Sequence, residues 1–378
     1  MNQTRTFLLI AWLAVAFLLF LQWQSPAQNT PATAATAISP ASTAPSSGTS
    51  LPSLPAQTGN ATPVLPSNAA TASGQRVTIE SDVHRLTVDL KGVSIVRAEL
   101  KTYPQEKKSG SPNVVLLDDA AADYYVAQSG WLTQSGKSAP THEAVFRTAD
   151  GKTEYRMADD QDTLVVPFVW EDASGVQLTK SLVLKRGQFD VGVKQEIANK
   201  SAAPWTGFAY EQLKRIAPPP PPKHSIFINP DAMSTVGAAW YSPDEHFEKL
   251  KFTNYLDDGV LQTPNKLVKD GWFGMLEHHF VSVWVPDKNS PQTFNVATEN
   301  IGNQAQYLIR GIANEAVVAP GQTLSREDVL WVGPKAQKGM GDVHPTLDLS
   351  VDYGFLSFLS QPLFWVLSKL HDLFGNWG

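Results

Sequence analysis

The chain has 378 residues, 42% of them hydrophobic and 17% charged, with a net charge of −6 and no cysteine. At roughly 150 residues per domain this length admits one large or two modest domains, and the charged fraction is low against a typical figure of about 25%. The missing cysteines exclude a disulfide framework, a zinc ribbon, an iron-sulfur cluster and a thiol nucleophile, and the mild acidity argues against a nucleic-acid partner, which calls for a basic face.

The charge deficit is local: between Thr6 and Gln75 there is no Asp, Glu, Lys or Arg. Residues 7–21 (FLLIAWLAVAFLLFL) are unbroken apolar sequence. With Thr6, Gln22 and Trp23 they span about 27 Å as a helix, close to the roughly 30 Å hydrocarbon core of a bilayer. Residues 1–23 are therefore predicted to be a transmembrane anchor. Phe7, Leu8, Trp12, Phe17 and Phe20 lie along it, and Trp23 stands where an interfacial aromatic belongs. Arg5 and the amino terminus are the only positive charges before it, so the positive-inside rule puts the N-terminus in the cytoplasm and the rest outside. The competing reading is a cleaved signal peptide with Ser25-Pro26-Ala27 as its small-residue site. Gln24 and Pro26 make a poor cleavage context, and both readings export the rest of the chain.

Residues 24–75 are mostly Ala, Ser, Thr, Pro and Gly, with eight prolines and scattered Leu or Val, too little apolar surface to offset the entropy of ordering. This segment is expected to be a disordered tether with an r.m.s. span of about 40 Å.

From Arg76 onward the apolar period becomes two. Val77 and Ile79, then Leu86, Val88 and Leu90, then Val93 and Ile95 alternate with polar neighbours, as half-buried strands do. Two hairpins are expected, one turning at residues 171–175 and one at 185–188. Residues 280–285, 305–312 and 329–332 continue the pattern, and prolines 218–222 read as a short polyproline II connector. No long 3.6-period segment interrupts it, so residues 76–345 are predicted to form one all-β domain, a large antiparallel sandwich.

Residues 346–378 change character again. Phe355, Phe358, Leu359, Leu363, Phe364, Trp365, Leu370 and Phe374 cover most of a helix circumference, leaving a narrow polar stripe of Ser357, Ser360, Gln361, Ser368, His371 and Asp372. Pro362 is expected to bend it. So much Phe and Trp with so little charge suits a helix lying in the membrane interface; the alternative is a terminal helix docked on the β-domain. The ending GNWG, without a polar tail, reads as a chain continuing into something else.

The candidates for chemistry are few. Glu277-His278-His279 is the densest imidazole cluster, but neighbouring side chains of a strand point to opposite faces, which disfavours a shared metal. Asp159, Asp160 and Asp162 lack the Gly and distal Glu of a calcium loop and read as a solvated turn. Residues 130–138 (GWLTQSGKS) have the wrong spacing and context for a phosphate-binding loop, and no Gly-x-Ser-x-Gly elbow is present. The other histidines, among them His84, His142 and His344, are dispersed. No catalytic, cofactor or metal residue is assigned. Trp131, Trp240 and Trp272 are the aromatics available to stack on sugars, should the domain bind carbohydrate.

Specific strings now join this organisation. Residues 181–199 (SLVLKRGQFDVGVKQEIAN), 241–252 (YSPDEHFEKLKF), 271–286 (GWFGMLEHHFVSVWVP), 330–335 (LWVGPK) and above all 348–378 (DLSVDYGFLSFLSQPLFWVLSKLHDLFGNWG) resemble the YidC family of bacterial inner-membrane protein insertases. The resemblance covers the whole chain except the tether, and corresponds to the N-terminal two-thirds of such proteins. It implies an uncleaved anchor, a periplasmic β-supersandwich similar to galactose mutarotases, and an amphipathic helix on the periplasmic membrane surface. It further implies insertase and foldase activity without cofactor or covalent chemistry. The implied partners are nascent inner-membrane proteins, the lipid bilayer and the Sec translocon (SecYEG and SecDF). The family's hydrophilic groove, built from later membrane helices, has no counterpart in this sequence, so a fragment is expected and no groove residue is assigned. The alternative function is a membrane-tethered carbohydrate-binding or mutarotase-like protein, for which fold alone is no argument.

Overall fold

The computed structural model describes residues 75–133, 138–219, 235–257, 260–261, 267–301, 304–335 and 337–351. The anchor residues Phe7, Leu8, Trp12, Phe17, Phe20 and Trp23, the tether up to residue 74, and the terminal-helix residues Phe355, Phe358, Leu359, Leu363, Phe364, Trp365, Leu370 and Phe374 lie outside these residues, as do prolines 220–222.

The strands run in chain order as β1 (Arg76–Glu80), β2 (His84–Asp89), β3 (Ser94–Pro104), β4 (Asn113–Leu117), β5 (Tyr125–Leu132), β6 (Arg147–Thr148), β7 (Glu154–Arg156), β8 (Thr163–Glu171), β9 (Val176–Lys185), β10 (Asp190–Asn199) and β11 (Trp205–Ile216). They continue as β12 (Gly237–Ser242), β13 (His246–Lys251), β14 (Leu256–Asp257), β15 (Val260–Leu261), β16 (Leu267–Val268), β17 (Trp272–Leu276), β18 (Phe280–Val285), β19 (Gln292–Ile301), β20 (Gln304–Val318) and β21 (Thr323–Pro334). A short helix, α1 (Gln337–Val343), and a 3-10 turn at Leu347–Ser350 come after them.

Two large sheets hold these strands. The first has the order β16-β19-β20-β11-β5-β3-β2-β1-β7, with β4 also on β3, and the second β13-β12-β17-β18-β21-β10-β9-β8-β6. Pairing is antiparallel except between β1 and β7, and β14 pairs with β15 as a separate hairpin. The all-β sandwich expected from the alternation is what the chain forms. Both expected hairpins are present. At the β8–β9 turn Asp172 Oδ1 accepts from the Ser174 and Val176 amides and Gly175 takes φ +93°, a conformation glycine adopts without a Cβ penalty. At the β9–β10 turn Gly187 takes φ +71°.

One apolar core lies between the sheets, with Ile79, Leu86 and Ile309 from the first and Val166, Leu178 and Val193 from the second. A second apolar cluster covers the outer face of the second sheet, where Met340 of α1 and Leu347 of the 3-10 turn pack with Trp272, Val283 and Trp331. Here Trp272 Nε1 donates to Thr346 Oγ1 at 3.1 Å, and His344 Nδ1 lies 3.0 Å from the same hydroxyl. The segment leaving the domain is thus fastened to it by an apolar seat and a polar clasp. α1 has seven residues and no sustained period, too short to register as a helix in the sequence.

The buried tryptophans correct one expectation. Trp131, Trp240 and Trp272 are all buried, with Trp272 fully enclosed, because they sit on strands whose faces are both covered. None offers a ring face to a sugar. His278 and His279 also differ from expectation: they lie in the turn between β17 and β18 rather than in a strand, with ring centroids 6.5 Å apart. Asp159, Asp160 and Asp162 occupy an exposed turn, where the Arg186 guanidinium donates to the carbonyls of Ala158 and Gln161.

Candidate functional site

Three arrangements of polar side chains stand out. The first crosses the core. In β9 the inward positions are Val176, Leu178, Lys180, Leu182 and Leu184, so the alternation itself places a lysine in the interior. Register aligns Lys180 with Gln195 of β10 and Gln195 with Arg326 of β21, and opposite them the first sheet presents Ser129 and its register partner Glu211. Lys180 Nζ donates to the Gly92 carbonyl at 2.8 Å and to the Ser129 carbonyl and hydroxyl at 2.9 and 3.0 Å. Arg326 Nη2 reaches Glu211 Oε1 at 3.1 Å and also binds Asp328. Gln195 Nε2 donates to Asp328 Oδ2 at 3.2 Å, and its carbonyl accepts from Trp131 Nε1 at 3.0 Å.

Burial dominates the protonation of this network. It pushes the Lys180 ammonium down to about 7 and the Glu211 carboxyl up to about 8, the Arg326 charge opposing the latter and Asp328 adding to it. Two buried imidazoles behave alike: His84, against the Val332 carbonyl at 2.7 Å, is held down to about 4, and His142, 2.6 Å from the Tyr210 hydroxyl, down to about 3. A perturbed group at an open cleft would suggest catalysis, but Lys180, Glu211, Asp328 and His84 are all fully buried. The network bolts the sheets together and offers no path to a substrate.

The second arrangement is a cleft of ≈ 380 Å³ at one end of the sandwich. In it Arg215 stacks over the Tyr125 ring, 4.3 Å from the centroid, and joins Glu277, which follows the end of β17, at 2.6 Å. Asp118, Asp123 and Pro218 are among its walls. No Ser, Thr, His or Lys lines it among the described residues; its ionisable groups are Asp118, Asp123, Tyr125, Arg215 and Glu277.

The third is a row on the outer face of the first sheet, one register step from Ser129 and Glu211. Gln128 of β5, Gln212 of β11, Arg310 of β20 and Asn295 of β19 are successive cross-strand partners, and so share a face with Cβ atoms about 4.5 to 5.5 Å apart. Gln212 Nε2 donates to Gln128 Oε1 at 2.8 Å, and Arg310 Nε to Asn295 Oδ1 at 2.6 Å. Beside the row Lys214 pairs with Glu299 at 2.7 Å. The sequence of β11 ends in TGFAYEQLKRI, whose polar and apolar positions do not alternate because both faces of this strand are covered. Sequence reasoning therefore misses the row. For the core network a signal is available: Lys180 is a charge whose same-face neighbours in the strand, Leu178 and Leu182, are apolar.

Comparison with known proteins places the chain. The family model for the YidC periplasmic domain matches residues 76–366. The protein named membrane protein insertase YidC from Xanthomonas euvesicatoria pv. vesicatoria is 39% identical over 397 residues, which covers 100% of this chain and 66% of the relative. Its namesake from Stenotrophomonas maltophilia is 39% identical over 388 residues with the same coverage. The chain thus spans slightly under two-thirds of the length of these relatives. Among solved structures, a galactose mutarotase related enzyme from Lactobacillus acidophilus is 9% identical with a TM-score of 0.43, covering 68% of this chain and 97% of that one. A galactose mutarotase-like protein from Lactobacillus casei is 10% identical with a TM-score of 0.41, covering 68% and 99%. The domain match across the described strands and the identity sustained from end to end establish that the chain belongs to the YidC family.

Proposed function

We propose that the chain is the anchor and periplasmic part of a bacterial inner-membrane protein insertase and foldase, acting without cofactor or covalent chemistry. The observation that carries this reading is the 39% identity, extending over all of the chain, to relatives named membrane protein insertase. Residues 1–23 form the uncleaved anchor with its N-terminus in the cytoplasm, residues 24–75 a tether, residues 76–345 the periplasmic domain and residues 346–378 a helix in the outer membrane–water interface of that bilayer. In this reading Phe355, Phe358, Leu359, Leu363, Phe364, Trp365, Leu370 and Phe374 enter the acyl boundary. The clasp of Trp272, Thr346 and His344 supports it, since it holds the start of that segment at one place on the domain. The protein handles small inner-membrane proteins alone and larger ones with the Sec translocon, SecYEG and SecDF.

The physical task of such a protein is to lower the cost of bringing polar backbone into hydrocarbon, several kcal/mol for each unsatisfied group. Photocrosslinking tests the reading: a photoreactive residue at exposed Val145 or within residues 353–374, in inner-membrane vesicles, is expected to capture nascent inner-membrane proteins during synthesis. Adducts unchanged by the presence of nascent chains would count against it.

A further inference from the structure

The open cleft at the end of the sandwich lies where the first sheet is missing a strand. Tyr125, which begins β5, stands between two neighbours: Asp118, just after β4, exchanges backbone hydrogen bonds of 2.7 and 2.9 Å with it, and Arg215 of β11 is its register partner. One residue earlier the Tyr124 carbonyl accepts from the Ile216 amide at 2.9 Å. Beyond that point, among the described residues, no strand stands between β4 and the chain that continues from β11. The cleft of ≈ 380 Å³ lies in this lane, with Val115 and Leu116 of β4 on one side and Ile216, Pro218 and Pro219 on the other.

Two features describe what fits the lane. The first is the backbone. Among the described residues β4 has a ladder on its β3 side alone, so its other edge presents N–H and C=O groups ready for a further strand. Its sequence, NVVLL, has neither the Lys nor the Pro that blunts such edges. Pro218 and Pro219 have no N–H, which leaves β4 as the wall able to form a full ladder. The second feature is the side chains. Arg215, with a side chain only 7% exposed, donates through Nε to the Ile216 carbonyl and through Nη1 to Glu277, and its Nη2 has no hydrogen-bond partner among the described residues. This donor calls for a carbonyl oxygen. Asp118 is held by Arg97 and Glu277 by Arg215, which leaves exposed Asp123 at the mouth without an ion-pair partner among the described residues. The uncompensated charge selects a basic guest over an acidic one.

We propose that this cleft takes up an extended polypeptide carrying a lysine or arginine, which adds a strand to the first sheet along the free edge of β4. Such addition draws affinity from the main chain and selectivity from alternate side chains. A guest carbonyl meets Arg215 Nη2, apolar guest side chains meet Val115, Leu116 and Ile216, and the basic one meets Asp123. That the guest is an exported segment of a nascent protein rests on the insertase reading; the strand addition and its charge preference do not.

The test uses the full chain in detergent micelles and a fluorescent peptide with blocked ends, Thr-Val-Thr-Lys-Thr-Val-Thr, read by anisotropy. Successive N–H groups of a strand point to opposite edges, so N-methylation at the even or at the odd positions of the peptide blocks one edge or the other. One pattern is expected to weaken binding at least about ten-fold and the other less than about three-fold, as the loss of main-chain hydrogen bonds on one edge implies. The Lys peptide is expected to bind about five-fold more tightly than its Glu counterpart, and D123N, at an exposed position, to remove most of that preference. Equal losses from the two methylation patterns, or a Lys-to-Glu ratio unchanged in D123N, overturn the proposal. Dimers of the chain that the peptide does not displace assign the edge to a second copy and overturn it as well. Binding with the expected pattern in a protein that captures no nascent chain in the crosslinking experiment leaves the site standing and removes the insertase reading.

Discussion

At the scale of single residues, the interior is governed by charges that burial makes costly. Lys180 is the clearest case, with a folded-state value of about 7 against 10.5 for an exposed lysine. Because the folded state releases this proton first, the unfolded state binds more protons between these values, and stability rises with pH across that window. Glu211 has the opposite sign: its raised value of about 8 makes the folded state bind more protons between about 4.5 and 8, so its contribution falls as pH rises there. Above pH 8 the two effects separate. Urea unfolding is expected to show a gain on the order of 2 kcal/mol from about pH 8 to about 9.5, at about 1.4 kcal/mol per pH unit for one proton, and Lys180→Met should flatten that slope. A slope equal in the two proteins would mean that Lys180 is not the titrating group. His84 and His142 act at the acid end. Their depressed values cost stability as pH falls from about 6.5 towards 4, because the unfolded chain takes up protons that the buried rings refuse.

At the scale of elements, the strands readable from sequence are those with one covered face. β9 alternates cleanly, and its partners β8 and β10 follow from the turn chemistry of Asp172, Gly175 and Gly187. β17 (WFGML) is buried at every position, and β11 nearly so, so neither carries a period-two signal. For β17 the reason is α1 and the 3-10 turn, which cover the outer face of its sheet. Lys180 is legible in principle, since it shares a parity with Leu178 and Leu182, whereas the row of Gln128, Gln212, Arg310 and Asn295 is not, because its members are brought together from four strands. The seat of the C-terminal segment gives a direct check. Leu347 is fully buried in the cluster with Trp272 and Met340, and Leu347→Ala should cost about 2 to 5 kcal/mol if this seat is part of the cooperative fold. An unfolding midpoint unchanged by the substitution would instead mean that the segment detaches independently of the sandwich.

At the scale of the whole molecule, composition and structure meet in a division of labour. The charged residues are gathered in the β-domain, while the sequence before Arg76 and after Asp352 is nearly without charge. No helix among the described residues is long and apolar enough to cross a membrane, so the membrane reading rests on residues 7–21 and 353–374 and on family membership. In the proposed topology the sandwich stands outside the inner membrane and the N-terminus stays inside. The absence of cysteine makes this directly measurable. A single cysteine in place of Lys152, whose side chain is 68% exposed on the sandwich, or in place of Gln3 before the anchor, can be treated with a membrane-impermeant maleimide in spheroplasts. Lys152→Cys is expected to be labelled in intact spheroplasts and Gln3→Cys only after lysis; labelling of Lys152→Cys only after lysis would overturn this topology.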